Sequence, residues 1–260
     1  MLLLSFAFLS FITIIKVVSS PSPGFPFAQS IPKGGNSEIQ VIQPEGVEID
    51  PEGNLYVNDI EPNRIIKFSN SGTYILSWGS TGSNDGQFNH PHGNEVDQDG
   101  NVYITDQGNT RVQKFTSNGT FITKWGSEGS EDGQFIQPWD VAVDSSNHVY
   151  VPDYGNNRIQ VFTNNGTFIT KWGSEGSADG QLNQPAVITF DPTGLLYITD
   201  SGNHRVQTFD KNGTFIAKWG SEGDGDGQFS KPESIAVDHV GHVYVADTTN
   251  NNVQMFIPKS

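Results

Sequence analysis

The chain has 260 residues, 34% of them hydrophobic and 17 of them phenylalanine, enough apolar mass for one folded domain and too much for a disordered one. A formal charge of -15, from 14 basic and 29 acidic residues, opposes the phosphate backbone that supplies most non-specific nucleic-acid affinity, so nucleic acid is excluded as a partner. The lack of cysteine also excludes disulfides, thiolate zinc sites, iron–sulfur clusters and thiol catalysis, while 29 glycines and 14 prolines point to many turns between short strands.

Residues 1–20 are the first predicted element. MLLLSFAFLSFITII carries no charge and is shorter than the roughly 20 residues that a spanning helix needs; Val17 and Ser19 behind it suit a cleavage site. It reads as a signal peptide, with a short uncleaved membrane anchor as the alternative. Either reading makes the protein secreted or attached to the cell envelope, touching the membrane only through this segment. A Pro-rich linker, 21–25, follows.

Residues 26–260 are a repeat. Pro44, Pro91, Pro138, Pro185 and Pro232 open units at a constant interval of 47 without insertion. Each unit holds an apolar stretch ending in Asp (VEID, NEVD, VAVD, ITFD, IAVD), a second (LYVND, VYITD, VYVPD, LYITD, VYVAD), a third led by Arg in four units (RIIKF, RVQKF, RIQVF, RVQTF), and a fourth typified by TFITKWG. Short runs of Val, Ile, Tyr, Phe and Trp closed by Gly, Asn or Asp are strands. Four strands in a unit of this length are one blade of a β-propeller, so the expected fold is all-β with five four-stranded blades. The last unit ends after VQMF, before a fourth strand. Stepping back one interval from Tyr74 and Trp78 reaches Phe27 and Ile31, so FAQSI is expected to be the N-terminal strand that closes the last blade and protects its edge.

Within each unit the repeated phrase has structural work to do. The Asn-Gly of NGT supplies the positive φ of a tight hairpin. Asn118, Asn165 and Asn212 also fit the glycosylation acceptor pattern, which an exported chain can use. Trp78, Trp125, Trp172 and Trp219 recur in the fourth strands as packing between blades, and the Asp–Arg pairs flanking each loop hold loop shape. Acidic residues in the GSEGSEDGQF connections, from Asp85 to Asp226, are expected to be solvated surface.

Residues that break the repeat carry the functional information. Trp139 is the tryptophan that the frame does not explain; Glu45, His92, Ala186 and Glu233 stand at its position, where the chain enters the innermost strand at the mouth of the central channel. With Asp140 and Tyr154 these residues make a candidate ligand site at the mouth. Glu48, Asn94, Glu95 and Asp140 replace small or apolar residues just below it. They are candidate ligands for a hard cation such as calcium, with water-solvated channel lining as the plainer reading. Among the histidines only His92 falls in this ring; His90 reads as a linker residue.

YVPDYGNNRIQVF, YITDSGNHRVQTF and QPWDVAVD resemble the NHL repeat family of β-propellers, and the resemblance spans residues 26–260. Blade one departs from it with DIEPNR and blade five with DTTNNN, where Asn252 replaces arginine. Family propellers often have six blades, whereas this chain has sequence for five. The resemblance implies a binding scaffold for a protein, peptide or glycan, monomeric and acting through its loop face. Propellers of this kind also include zinc-dependent amidating lyases and calcium-dependent lactonase-like hydrolases, so a metal-dependent enzyme at the channel is the alternative. A zinc enzyme would need more histidines on the axis, and no nucleophile–base constellation is visible.

Overall fold

The computed structural model describes residues 39–257. It is a five-bladed β-propeller in which the chain builds each blade from the axis outward as an antiparallel sheet. The innermost strands are Pro44–Ile49, Pro91–Val96, Ala142–Val143, Pro185–Phe190 and Pro232–Val237. Four sheets have four strands, and the fifth has three among the described residues. The expected closing strand, residues 27–31, and the N-terminal segment 1–20 lie outside the described residues. No described helix is long and apolar enough to cross a membrane.

Aromatic side chains join each blade to the next. Trp78 packs against Phe115 of the following blade at 5.8 Å between centroids, and Trp125 meets Phe162 at 5.9 Å. The same tryptophans explain the repeated Asn-Gly turn. Gly119 of blade two has φ of 75°, and a Cβ there would stand 2.7 Å from the Trp78 ring; Gly166 repeats this over Trp125 and Gly213 over Trp172. The glycine is thus required both by the turn and by the indole beneath it.

The expected Asp–Arg pair is present and does more than pair. Arg158 donates from Nε to Asp153 at 2.8 Å, and its Nη atoms donate to the carbonyls of Ser130, Glu131 and Gln134 in the connection entering that blade. Arg111 and Arg205 repeat the arrangement. A planar fork of donors suits this latch, because it satisfies a buried carboxylate and a tight loop at once. Blade five has exposed Asn252 at this position.

Two local irregularities shape the axis. Register shifts follow the opening proline in blades one, two, four and five, so the next residue is re-aimed at the channel mouth. In blade three, regular pairing of the first strand shrinks to Ala142–Val143, with one isolated bridge between Pro138 and Asp153. Pro152 stands in the second strand there and has no N–H for the ladder. Trp139 and Asp140 lie between that bridge and the short strand, and the Trp139 N–H still donates to the Pro152 carbonyl at 3.0 Å.

Candidate functional site

The five innermost strands enclose a channel cavity of about 290 Å³. Its walls are uneven. Glu45, Glu48, His92, Asn94, Glu95 and Asp140 face it from blades one to three, whereas blades four and five contribute mainly aliphatic residues with Thr189 and Phe190.

At the mouth the structure gathers most of the residues that break the repeat. The Trp139 ring stacks on Tyr154 at 4.4 Å between centroids and meets His92 at 4.3 Å. Glu45 is 6% exposed and His92 2%. Glu45 Oε2 lies 3.5 Å from His90 Nδ1 and 3.9 Å from His92 Nε2, yet it receives no hydrogen bond. Burial, reinforced by the charge of Glu233, pushes the Glu45 carboxyl up to about 7. Burial holds His92 neutral by lowering it to about 3, and lowers His90 as well. Glu233 pairs with Lys231, whose charge also reaches Tyr154.

Two mouth residues escaped the sequence reading. His90 and Lys231 occupy the position just before the opening proline, where blades one, three and four carry Gln43, Gln137 and Gln184. The comparison of copies that singled out Trp139 would have found both, one residue earlier.

Below the mouth the candidate metal ligands divide by what they bond. Asn94 donates to the Tyr56 carbonyl of blade one at 3.3 Å, and Asp140 Oδ2 accepts the Ile188 N–H of blade four at 3.1 Å. Glycines admit them: a Cβ on Gly46 would stand 2.8 Å from Asn94 Oδ1, and one on Gly93 would clash with Asp140 Oδ1. These two side chains therefore tie neighbouring blades together. Glu48 accepts the N–H of its own neighbour Ile49, and Glu95 that of Val96, leaving both turned to the lumen. Burial raises Glu48 and Asp140 to about 7 each, Glu48 also feeling the Asp140 charge. Glu95 is raised well above the usual carboxylate range by burial, then by Glu48 and Asp140. Among the described residues no three His, Asp or Glu side chains are gathered closely enough to hold a metal ion.

The acidic connections stay on the surface. Asp85, Asp132 and Asp179 pair with Lys124, Lys171 and Lys218 at 2.5–2.6 Å, exposed contacts of small energetic weight. Asn118, Asn165 and Asn212 are all exposed, on hairpins at the face opposite the mouth.

Fold and channel together define a five-bladed β-propeller whose distinctive chemistry lies on its axis. The NHL repeat model matches residues 88–115, 135–162, 182–209 and 229–256, and the chain belongs to the NHL repeat family of propellers. No curated protein matches the sequence. Among solved structures, a streptogramin B lyase is similar at 16% identity and TM-score 0.62, over 85% of this chain and 71% of that one. Virginiamycin B lyase from Staphylococcus aureus is similar at 15% identity and TM-score 0.60, covering 84% and 70%. A protein of unknown function from Bacteroides caccae has 12% identity and TM-score 0.58, covering 77% and 69%. At these identities the likeness is one of fold.

Proposed function

We propose that this chain is an exported or envelope-attached binding propeller that takes a protein, peptide or glycan ligand at the loop-face mouth of its channel. One observation carries the reading. A carboxyl group buried at the mouth, that of Glu45, keeps an oxygen without a hydrogen-bond donor beside a stacked Trp139–Tyr154 pair. Buried polar atoms are rarely left unsatisfied, and aromatic anchors with a few fixed polar groups are the makings of a binding site. The test is binding of the full chain to peptide and glycan arrays, compared with Trp139→Ala and Glu45→Gln. The expected result is binding to discrete ligands that drops at least about tenfold in both variants, with both variants still cooperatively folded at the assay temperature. Equal binding by the parent and both variants would overturn it.

A second reading, a calcium-dependent lyase or lactonase-like enzyme, is favoured by one feature, the lumen carboxyl groups of Glu48, Glu95 and Asp140. Metal content after dialysis separates the two. The binding reading predicts no retained ion, whereas one calcium held by the parent and lost in Glu48→Gln/Glu95→Gln would favour the enzyme.

A further inference from the structure

The mouth has an aromatic wall and a polar ledge. Trp139 touches both other rings of the wall, His92 and Tyr154; Tyr154 is half-buried and stacks through one face, and no further ring meets it among the described residues. The ledge comes from blades five, one and two. Lys231 pairs with Glu233, whose charge reaches the buried Glu45; Glu45 Oε2 and His90 Nδ1, 3.5 Å apart, both lack a hydrogen-bond partner among the described residues. The charges of Lys231 and Glu233 also reach Tyr154, so ledge and wall meet across blade four. That blade contributes the smallest side chains of the mouth. Ala186 stands where the others have Glu45, His92, Trp139 and Glu233, and Ser201 where they have Ile60, Gln107, Tyr154 and Thr248; both are buried.

We propose that the mouth binds a neutral pyranose unit of a glycan, with its C–H face on the Tyr154 ring and its hydroxyls on Glu233, Lys231 and Glu45. A pyranose is two-sided in the same way as the mouth. Its C–H groups form an apolar patch whose slightly positive hydrogens suit the negative face of an aromatic ring, while each hydroxyl on its rim both donates and accepts. Adjacent hydroxyls can therefore donate to the Glu233 carboxylate and accept from the Lys231 ammonium, charge-assisted bonds of the stronger kind. A further hydroxyl would supply the donor that Glu45 Oε2 lacks. An anionic sugar is disfavoured, because the mouth sets two carboxyl groups against one lysine and the chain carries a formal charge of -15. The inference names the ligand class of the binding reading and rests on it.

The experiment titrates the full-length chain with maltotriose, cellotriose, mannotriose, the trisaccharide of chitin and, as the anionic control, trigalacturonate, reading heat and the ring resonances of Tyr154. At least one neutral trisaccharide is expected to bind with one equivalent and to move Tyr154, while trigalacturonate does not bind. Tyr154→Ala is expected to weaken that sugar at least about tenfold, the scale of a lost aromatic anchor. Glu233→Gln is expected to weaken it about tenfold, as a charge-assisted hydrogen bond is lost. Tyr154→Phe keeps the ring and is expected to bind like the parent, which separates a platform from a merely structural tyrosine. Preference for trigalacturonate overturns the proposal, and so does binding undiminished in both Tyr154→Ala and Glu233→Gln. Silence toward every neutral sugar, in solution and on the array, by a chain that still takes an array peptide in a Trp139-dependent way sinks the sugar site alone and leaves the mouth reading standing. Silence toward sugars and array ligands alike sinks both.

Discussion

Glu45 couples the channel mouth to pH. Its folded-state pKa of about 7 stands above the ordinary carboxylate value of 4.5, so between these limits the native chain keeps a proton that the unfolded chain has released. Stability from this group is fully present below the lower limit and is lost as pH rises through 7, by up to about 3 kcal/mol in all and about 2 kcal/mol between pH 5.5 and 8. Glu45→Gln is expected to flatten that part of the pH dependence, read by chemical denaturation at pH 5.5 and 8; an unchanged slope contradicts it. The glycines permit a sharper comparison. Gly166 and Gly133 both have positive φ, 84° and 79°, but a Cβ on Gly166 meets Trp125 at 2.6 Å while one on Gly133 meets nothing within 4 Å. Gly133→Ala is expected to cost about 1 kcal/mol, and Gly166→Ala about 1–3 kcal/mol more; equal losses by thermal denaturation would contradict the packing role. Residues of this kind were legible wherever the repeat supplies controls. The position of Trp139 stands out because its copies, Glu45, His92, Ala186 and Glu233, share no residue type, whereas the frame positions repeat theirs. Asp140 was legible as an exception, but its bond to the Ile188 N–H was not, because that depends on Pro152 disturbing the first strand of blade three and on a glycine in another blade making room.

Blades are held by two devices of different strength. The indole beneath the next blade's Asn-Gly turn is packing, whereas the arginine fork is polar and buried. Arg158→Ala would leave Asp153, which is fully buried, without its cation and the Ser130 carbonyl without a donor, while the Glu131 and Gln134 carbonyls would keep only the Gln134 N–H and Gln160 Nε2. The expected loss is about 3–5 kcal/mol, and Arg158→Lys is expected to recover little of it, since one ammonium cannot reach all four acceptors. Full recovery in the lysine variant, measured by urea denaturation, would contradict the latch. The sequence contains its own control in blade five. With Asn252 in the arginine's place, the connection 222–229 is expected to exchange its amide hydrogens faster than the equivalent 128–135; equal protection would argue against the arginines as fasteners. The strands themselves were nearly all legible, because Val-, Ile- and Tyr-rich runs between turns leave little choice. The exception is the first strand of blade three, where a single proline outweighs an otherwise ordinary apolar stretch.

As a whole, the molecule separates its two faces. Mouth residues lie at one end of the ring, and Asn118, Asn165 and Asn212 lie on exposed hairpins at the other, so glycans added during export would leave the mouth clear. Expression through a secretory pathway is expected to add glycans that a glycosidase removes, with no change in ligand affinity. Ring closure has a described half. Ile39–Gln43 behaves as the connection into blade one: Gln40 O accepts from Arg64 and Asp59 from Ile42 N–H, as Gln87 O accepts from Arg111 and Asp106 from Asn89 N–H. Val253 and Met255 on the last strand of blade five are 58% and 55% exposed among the described residues. Deleting residues 26–31 is expected to lower the melting temperature by several degrees, and an unchanged value would contradict closure by that segment. The central claim is that repeated residues build the ring while the exceptions bind. It is tested most directly by the five indole N–H resonances of the full chain during titration with a ligand taken from the peptide and glycan arrays. The account predicts that Trp139 moves while Trp78, Trp125, Trp172 and Trp219 stay in place; a still Trp139, or movement led by the other four, would contradict it.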